Sequence, residues 1–334
     1  MNNCDIDNNI MVTKKIKLNH LIFDDDNDDK EYIIIDKKIN TLLDLIELGY
    51  SYNPTKSYNI DLKLLYNMIP TLHKLNNMVG LDNVKVEIID HIMFYLQKLD
   101  NSNIDMLHTV IEGPPGIGKT KLAIILGELY LAMGILKNNI FKKVSRTDMI
   151  AKFTGQTSGK TEELIDSCIG GVMFIDEVYS LGNKAQHDTY AKEAIDTLTY
   201  KLTQLKNNFI CIVAGYSREI NECFFSYNVG LQSRFPVRFS INPYTPSELF
   251  KIFKTIIEDN GWKLDTTIKI NFFKKNYDDF AFYGRDMENL FTKCKRTHSK
   301  RIFGTPNSIK KLITKDDLNK GFIDFLINKS NIPN

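Results

Sequence analysis

Short runs of consecutive apolar residues alternate, through the middle of this chain, with longer segments whose apolar residues recur at helical spacing. Val172-Met173-Phe174-Ile175 is the clearest run. A strand apolar on both faces belongs in a parallel sheet covered by helices on either side. The same reading predicts strands near Thr109–Glu112, Ile140–Val144, Val172–Asp176, Phe209–Ala214 and Val237–Ile241. Helices are predicted between them, at Lys119–Gly134, Arg146–Phe153, Thr161–Ile169 and Lys192–Lys206. Such alternation predicts an α/β fold with a doubly wound, parallel, five-stranded sheet. After Pro246 the strands stop. Helices around Ser247–Asn260, Asp265–Tyr277, Arg285–Phe303 and Lys315–Asn328 then make a small all-helical domain.

The first part of the chain reads as a separate piece. Asp24, Asp25, Asp26, Asp28 and Asp29 form an acidic cluster that lacks the Gly and terminal Glu of a calcium loop, so a solvated turn is expected. Glu31–Ile35 reads as a strand, and Thr41–Leu48 as a helix stopped by Gly49. Leu62, Leu65, Ile69 and Leu72 indicate another helix, interrupted by Pro70. The expected organisation is an N-terminal extension over 1–76, an α/β domain over 77–245 and a helical lid over 246–334.

Composition narrows the class. With 43% apolar and 25% charged residues the chain has globular usage, which excludes disordered and fibrous classes. A formal charge of +2 makes no electrostatic case for nucleic acid or an acidic membrane. Cys4, Cys168, Cys211, Cys223 and Cys294 form no C-x-x-C pair and are expected as free thiols in a reducing compartment. No zinc site is expected. Leu122–Leu136 is broken by Gly127, Glu128 and Gly134, and falls short of the roughly 20 residues that a membrane span needs. With no secretory leader evident, a cytoplasmic protein is expected.

The run Gly113-Pro114-Pro115-Gly116-Ile117-Gly118-Lys119-Thr120 fits G-x-x-x-x-G-K-[ST] between a predicted strand and a predicted helix. Small residues let backbone N–H groups curl around phosphates, and the helix N-terminus favours negative charge. Lys119 is expected to reach the β- and γ-phosphates, and the Thr120 hydroxyl to ligate Mg²⁺. Downstream, the strand Val172–Ile175 ends in Asp176 and Glu177. Ligands of open α/β sheets gather beyond the carboxyl ends of strands. Asp176 is placed to support Mg²⁺ and Glu177 to polarise the attacking water, the tasks that phosphoryl transfer to water requires. Arg234 and Arg285 are candidate clamps for charge developing on a γ-phosphate.

These motifs, with Phe153-Thr154-Gly155-Gln156-Thr157-Ser158-Gly159-Lys160-Thr161, Lys192-Glu193-Ala194-Ile195-Asp196-Thr197-Leu198 and Ala214-Gly215-Tyr216, carry a resemblance. From Met78 to about Arg301 the chain resembles the AAA+ ATPases, and within them the CbbX/CfxQ-like group of red-type Rubisco activases and sporulation-protein relatives, including giant-virus members. The resemblance implies ATP and Mg²⁺ as ligands and ring assembly, usually as a hexamer. It implies that Arg234 is an arginine finger reaching a neighbour's ATP, and that Arg285 is a sensor arginine on the subunit's own γ-phosphate. Gly80 and Leu81 are implied to pack beside the adenine, and Phe153 to lie on an aromatic pore loop that grips a polypeptide. Tyr216, after Gly215, stands where many AAA+ proteins carry a polar residue that orients water.

The leading expectation is a ring motor that hydrolyses ATP to remodel a client protein. One alternative is a nucleic-acid motor, for which Lys293, Lys295, Arg296, Lys300 and Arg301 offer a basic helix face. Another is a scaffold that binds ATP without cycling, against which the retention of both Asp176 and Glu177 argues.

Overall fold

A computed structural model describes residues 31–99, 106–153, 155–182, 188–228, 230–304 and 310–330. The acidic cluster at 24–29 and Cys4 lie outside the described residues. The first elements are β1 (Glu31–Ile33), α1 (Leu42–Tyr50), β2 (Lys56–Tyr58), α2 (Leu62–Asn76) and α3 (Asp82–Leu96), with β1 and β2 paired in parallel. Thr41 starts α1 through a reciprocal cap: its Oγ1 accepts from Asp44 N at 3.2 Å, and the Asp44 carboxylate accepts from Thr41 N at 2.8 Å. Gly49 does not end the helix. A Cβ there would sit 3.0 Å from the Ile69 side chain, so Gly49 serves the close approach of α1 to α2. Nor does Pro70 break α2, although it forfeits one backbone hydrogen bond. Leu65, Met68, Ile69 and Leu72 are all buried and hold the helix across that gap.

The α/β layer follows as β3 (Thr109–Glu112), α4 (Lys119–Ala132), β4 (Phe141–Val144), α5 (Arg146–Met149), α6 (Thr157–Asp166), β5 (Val172–Ile175), α7 (Thr189–Leu205), β6 (Ile210–Gly215), α8 (Ser217–Cys223) and β7 (Val237–Ser240). The five strands run in the order β4-β5-β6-β3-β7, and every pairing is parallel. Alternation along each strand divides the apolar side chains between two faces. Ile111, Phe174 and Ile212 join one core with Leu65 of α2, Ile88 of α3 and Leu122 of α4. Val110, Ile175 and Val213 join the other with Ile165 of α6 and Leu198 of α7. Residues 31–76 thus share a core with the helix that follows the glycine-rich loop, and Lys74 pairs with Glu128 of α4 at 2.7 Å.

Two helices differ from the sequence expectation. The chain leaves α5 at Ile150, whose ψ of 133° is extended, so Phe153 lies on a loop; α6 then begins at Thr157. Lys160 Nζ donates to the carbonyls of Thr147 at 2.6 Å and Ile150 at 2.9 Å, closing the end of α5 from outside.

The C-terminal part comprises α9 (Pro246–Asp259), β8 (Lys263–Leu264), α10 (Ile270–Lys275), α11 (Tyr283–Arg301), β9 (Leu312–Ile313) and α12 (Lys315–Ser330). It is helical as expected, except that the strands do not stop at Pro246: β8 and β9 form a two-residue parallel ladder. Such a short ladder carries no alternation to read. Asp317, buried at the start of α12, accepts from Arg301 Nη2 at 2.8 Å and Nε at 2.9 Å, and lies 3.0 Å from His298 Nδ1. Among the described residues no helix is long and apolar enough to cross a membrane.

Candidate functional site

The glycine-rich loop connects β3 to α4 and is braced from the C-terminal helices. Gly116 has a φ of +75°, and a Cβ there would lie 1.9 Å from the Phe282 carbonyl oxygen, so only glycine fits. Gly284 N donates to Gly116 O at 2.9 Å, and Tyr244 Oη donates to Ile117 O at 2.9 Å. Ile117 itself is fully buried and anchors the loop in the core. Lys119 opens α4. Its Nζ donates to the carbonyls of Gly113 at 2.9 Å and Pro114 at 2.7 Å, and stands 5.1 Å from the centre of the Tyr216 ring. Burial lowers the Lys119 pKa and Arg285 adds to that, while Asp176 and Glu177 act against it. A half-buried cation held only by carbonyls and an aromatic face is well prepared for a strong anion.

The two acids emerge at the end of β5. Asp176 Oδ2 accepts from Thr120 Oγ1 at 3.2 Å and from Lys143 Nζ at 2.7 Å, and its Oδ1 accepts from Glu177 N at 3.1 Å. Glu177 is exposed and adopts a left-handed backbone, φ 51° and ψ 46°, which costs a non-glycine residue about 1 kcal/mol. That conformation turns the chain out of the strand and into the short 3₁₀ turn Val178–Leu181.

A cavity of about 440 Å³ lies between the loop, the acids and the C-terminal helices. That is within the range of small-molecule sites. Lys119, Thr120, Asp176, Glu177, Tyr216 and Arg285 all line it. Pro115, Gly116 and Gly118 line it too, whereas Gly113, Pro114 and Ile117 do not. Asn77, Met78 and Val79, just before Gly80 and Leu81, also line the cavity. Gly80 and Leu81 both have positive φ, and Leu81 is buried.

Arg234 does not line this cavity. Its guanidinium donates to Gly230 O at 2.7 Å and Ser233 Oγ at 3.0 Å, and its Nε donates to Thr203 Oγ1 of α7 at 3.1 Å. Phe153 is 68% exposed, so it is not a core residue. On α11, Arg301 is taken up by Asp317 and Lys295 lies over Phe291, 4.6 Å from the ring centre, so part of the basic face has internal partners.

The sequence assigns no role to Lys143 or Tyr179. Lys143 sits on a short strand beside another lysine, Lys142, where nothing in the sequence singles it out. Tyr179 follows directly on the paired acids, but only the fold brings its ring onto Tyr216, with centroids 5.3 Å apart.

Residues 109–242 match the model of the ATPase family associated with various cellular activities (AAA). The chain is 40% identical over 300 residues to the cfxQ-like protein R730 of Acanthamoeba polyphaga mimivirus, covering 89% of this chain and 74% of that one. It is 36% identical over 197 residues to stage V sporulation protein K of Bacillus subtilis (strain 168), covering 57% of this chain and 61% of that one. The ESX-1 secretion system protein EccA1 of Mycolicibacterium smegmatis is 36% identical over 162 residues, 48% of this chain and 28% of its own length. Among solved structures, the RuvB Holliday junction branch migration motor of Thermotoga maritima superposes with a TM-score of 0.52 at 19% identity, covering 75% of this chain and 71% of that one. The FIGL-1 AAA domain in complex with ADP gives a TM-score of 0.52 at 17% identity, over 75% and 83% of the two chains. At that identity the structures establish likeness of fold.

Proposed function

The chain belongs to the AAA ATPases, in their CfxQ-like group, and we propose that it hydrolyses Mg²⁺-bound ATP in a ring to remodel a client polypeptide. As a member of that family it is an ATP hydrolase. The finer reading assigns Lys119 and the N–H groups of Gly116 to Thr120 to the phosphates, and the wall at Asn77–Val79 to the base. Arg285 meets the γ-phosphate from the subunit's own lid. The pair Thr120 Oγ1 and Asp176 Oδ2, 3.2 Å apart, supplies hard oxygen donors of the kind that Mg²⁺ takes, so the residues fit the ion. When bound, Mg²⁺ supplies charge neutralisation on the phosphates.

Glu177 receives a proton from the attacking water. Arg234, which does not line its own subunit's cavity, reaches a neighbour's nucleotide in this reading, which is what calls for a ring. The exposed Phe153, on a loop closed by Lys160, is the contact for a passing polypeptide. We further propose the divisions 1–76, 77–245 and 246–334 as extension, motor and lid, working in the cytoplasm. Buried free thiols at Cys168, Cys211 and Cys294 suit such a reducing compartment.

The observation that carries this reading is the convergence of Lys119, Thr120, Asp176 and Glu177 on one cavity. Glu177→Gln keeps the size and removes the base. The variant should bind ATP as the parent does and release phosphate at least about a hundredfold more slowly. Equal phosphate release by the two proteins would refute the assignment. In ATP the stalled variant should also co-purify with a polypeptide; recovery of nucleic acid in its place would favour the nucleic-acid motor.

A further inference from the structure

Glu177 can accept one proton of an attacking water, while the neighbouring strand β6 ends in Gly215, which has no side chain to hold the other. The reason is steric. A Cβ on Gly215 would stand 2.9 Å from Tyr179 Cδ1 and 3.1 Å from Ile220 Cγ1, so the Tyr179 ring fills the space that a side chain at 215 would enter. That ring comes from the turn directly after Glu177 and stacks on Tyr216 at an interplanar angle of 20°. Both tyrosines line the cavity with Glu177.

Their roles separate by what each one meets. The Tyr216 ring lies under the Lys119 ammonium. Tyr179 lies against the Tyr216 ring and in the field of Glu177 and Asp176; burial, then Tyr216 and these acids, push its phenol up, so it stays neutral. As a neutral phenol, Tyr179 offers an oxygen lone pair to a donor.

We propose that the Tyr179 hydroxyl orients the attacking water with Glu177, in the place that a polar side chain at position 215 would otherwise hold. The inference rests on the hydrolytic reading of this cavity. The water oxygen forms a bond to the γ-phosphorus while the bond from that phosphorus to the bridging oxygen breaks, its electron pair leaving with ADP. One water proton passes to the Glu177 carboxylate. The other is held by a hydrogen bond to Tyr179 Oη and stays on the phosphate product. Accepting both protons of the water aims its lone pair at phosphorus, which is orientation of the kind that sets rate and leaves binding alone.

Tyr179→Phe is the test, because it keeps the ring, the stack and the filling beside Gly215 and removes only the oxygen. Steady-state phosphate release should fall about tenfold to a hundredfold in kcat. The Kd for a fluorescent ATP analogue should stay within about twofold, since the ring still walls the site. Parent-like kcat in Tyr179→Phe, with an active parent, would overturn this inference alone. So would a weakened Kd with unchanged kcat, which would make Tyr179 a wall of the binding site. An inactive parent would remove the hydrolytic reading and this inference with it.

Discussion

His108 shows how one buried side chain makes stability depend on pH. It lies at the foot of β3, 1% exposed, where its Nδ1 accepts from Cys211 N at 3.1 Å and its Nε2 faces Leu202 O at 3.4 Å. Burial lowers its pKa from the usual 6.5 to about 4. The folded state therefore keeps it neutral, while the unfolded chain takes up a proton below 6.5. Stability from this group is complete above that pH and is lost as pH falls toward 4, by about 3 kcal/mol in all. Denaturant melts at about pH 7 and about pH 4.5 should show the loss, and His108→Gln should flatten that part of the slope. An identical slope in the variant would show that His108 is not the group titrating.

At this scale the sequence is a good guide to chemistry tied to a motif and a poor one to chemistry assembled by the fold. Lys119, Thr120, Asp176 and Glu177 are legible because their spacing is fixed by one loop and one strand end. Tyr179 and Lys143 are not. Tyr179 matters through its contact with Gly215 and Tyr216, and Lys143 through Asp176 on the neighbouring strand. Contacts between distant segments leave no spacing to read.

Among the elements, glycines in helices separate close approach from mere flexibility. Gly321 lies in α12, where a Cβ would stand 2.9 Å from Cys294 N and 3.0 Å from Cys294 Cα of α11. Backbone cannot move aside as a side-chain tip can. Gly321→Ala should cost about 1–3 kcal/mol by forcing α11 and α12 apart, in spite of alanine's better helix propensity. Gly159 in α6 is exposed, with nothing within 4 Å of a Cβ. Gly159→Ala should instead stabilise by about 0.5–1 kcal/mol. Thermal melts of the two variants check the pair, and shifts of the same sign in both would contradict the packing argument.

The strands β5 and β6 are readable as apolar runs bounded by a change of pattern, whereas β7 alternates Val237 and Phe239 with Arg238 and Ser240, and β4 is only Phe141-Lys142-Lys143-Val144. Gly49 reads as a stop because a glycine serving close approach and a glycine ending a helix look alike in sequence. The length of α5 misleads for a related reason. The helix ends where Lys160, which lies well beyond Ile150 in the chain, reaches back to its carbonyls.

Over the whole molecule, the described part of the N-terminal extension and the C-terminal helices bear on α4 and its loop from different sides. The extension packs through α2 and the Lys74–Glu128 pair. The C-terminal helices do so through Gly284 N on Gly116 O, and Tyr244, just before α9, adds its Oη on Ile117 O. The loop proposed to meet the phosphates is thereby fixed to both ends of the described chain, a route from nucleotide to lid position. The change from a strand-bearing part to a mostly helical one is legible from the switch in periodicity after Pro246. The shared core of residues 31–76 is not, because the faces that α1 and α2 bury are matched only in three dimensions.

Calorimetric titration of the parent and of Lys119→Ala with ATP in excess Mg²⁺ is the most direct test of a triphosphate held at this loop. The parent should take up one nucleotide per chain, and the variant should lose at least about tenfold in affinity, as expected for removing a charge-assisted contact of about 1.5–3 kcal/mol. No heat from the parent, or equal affinity in the two proteins, would contradict it.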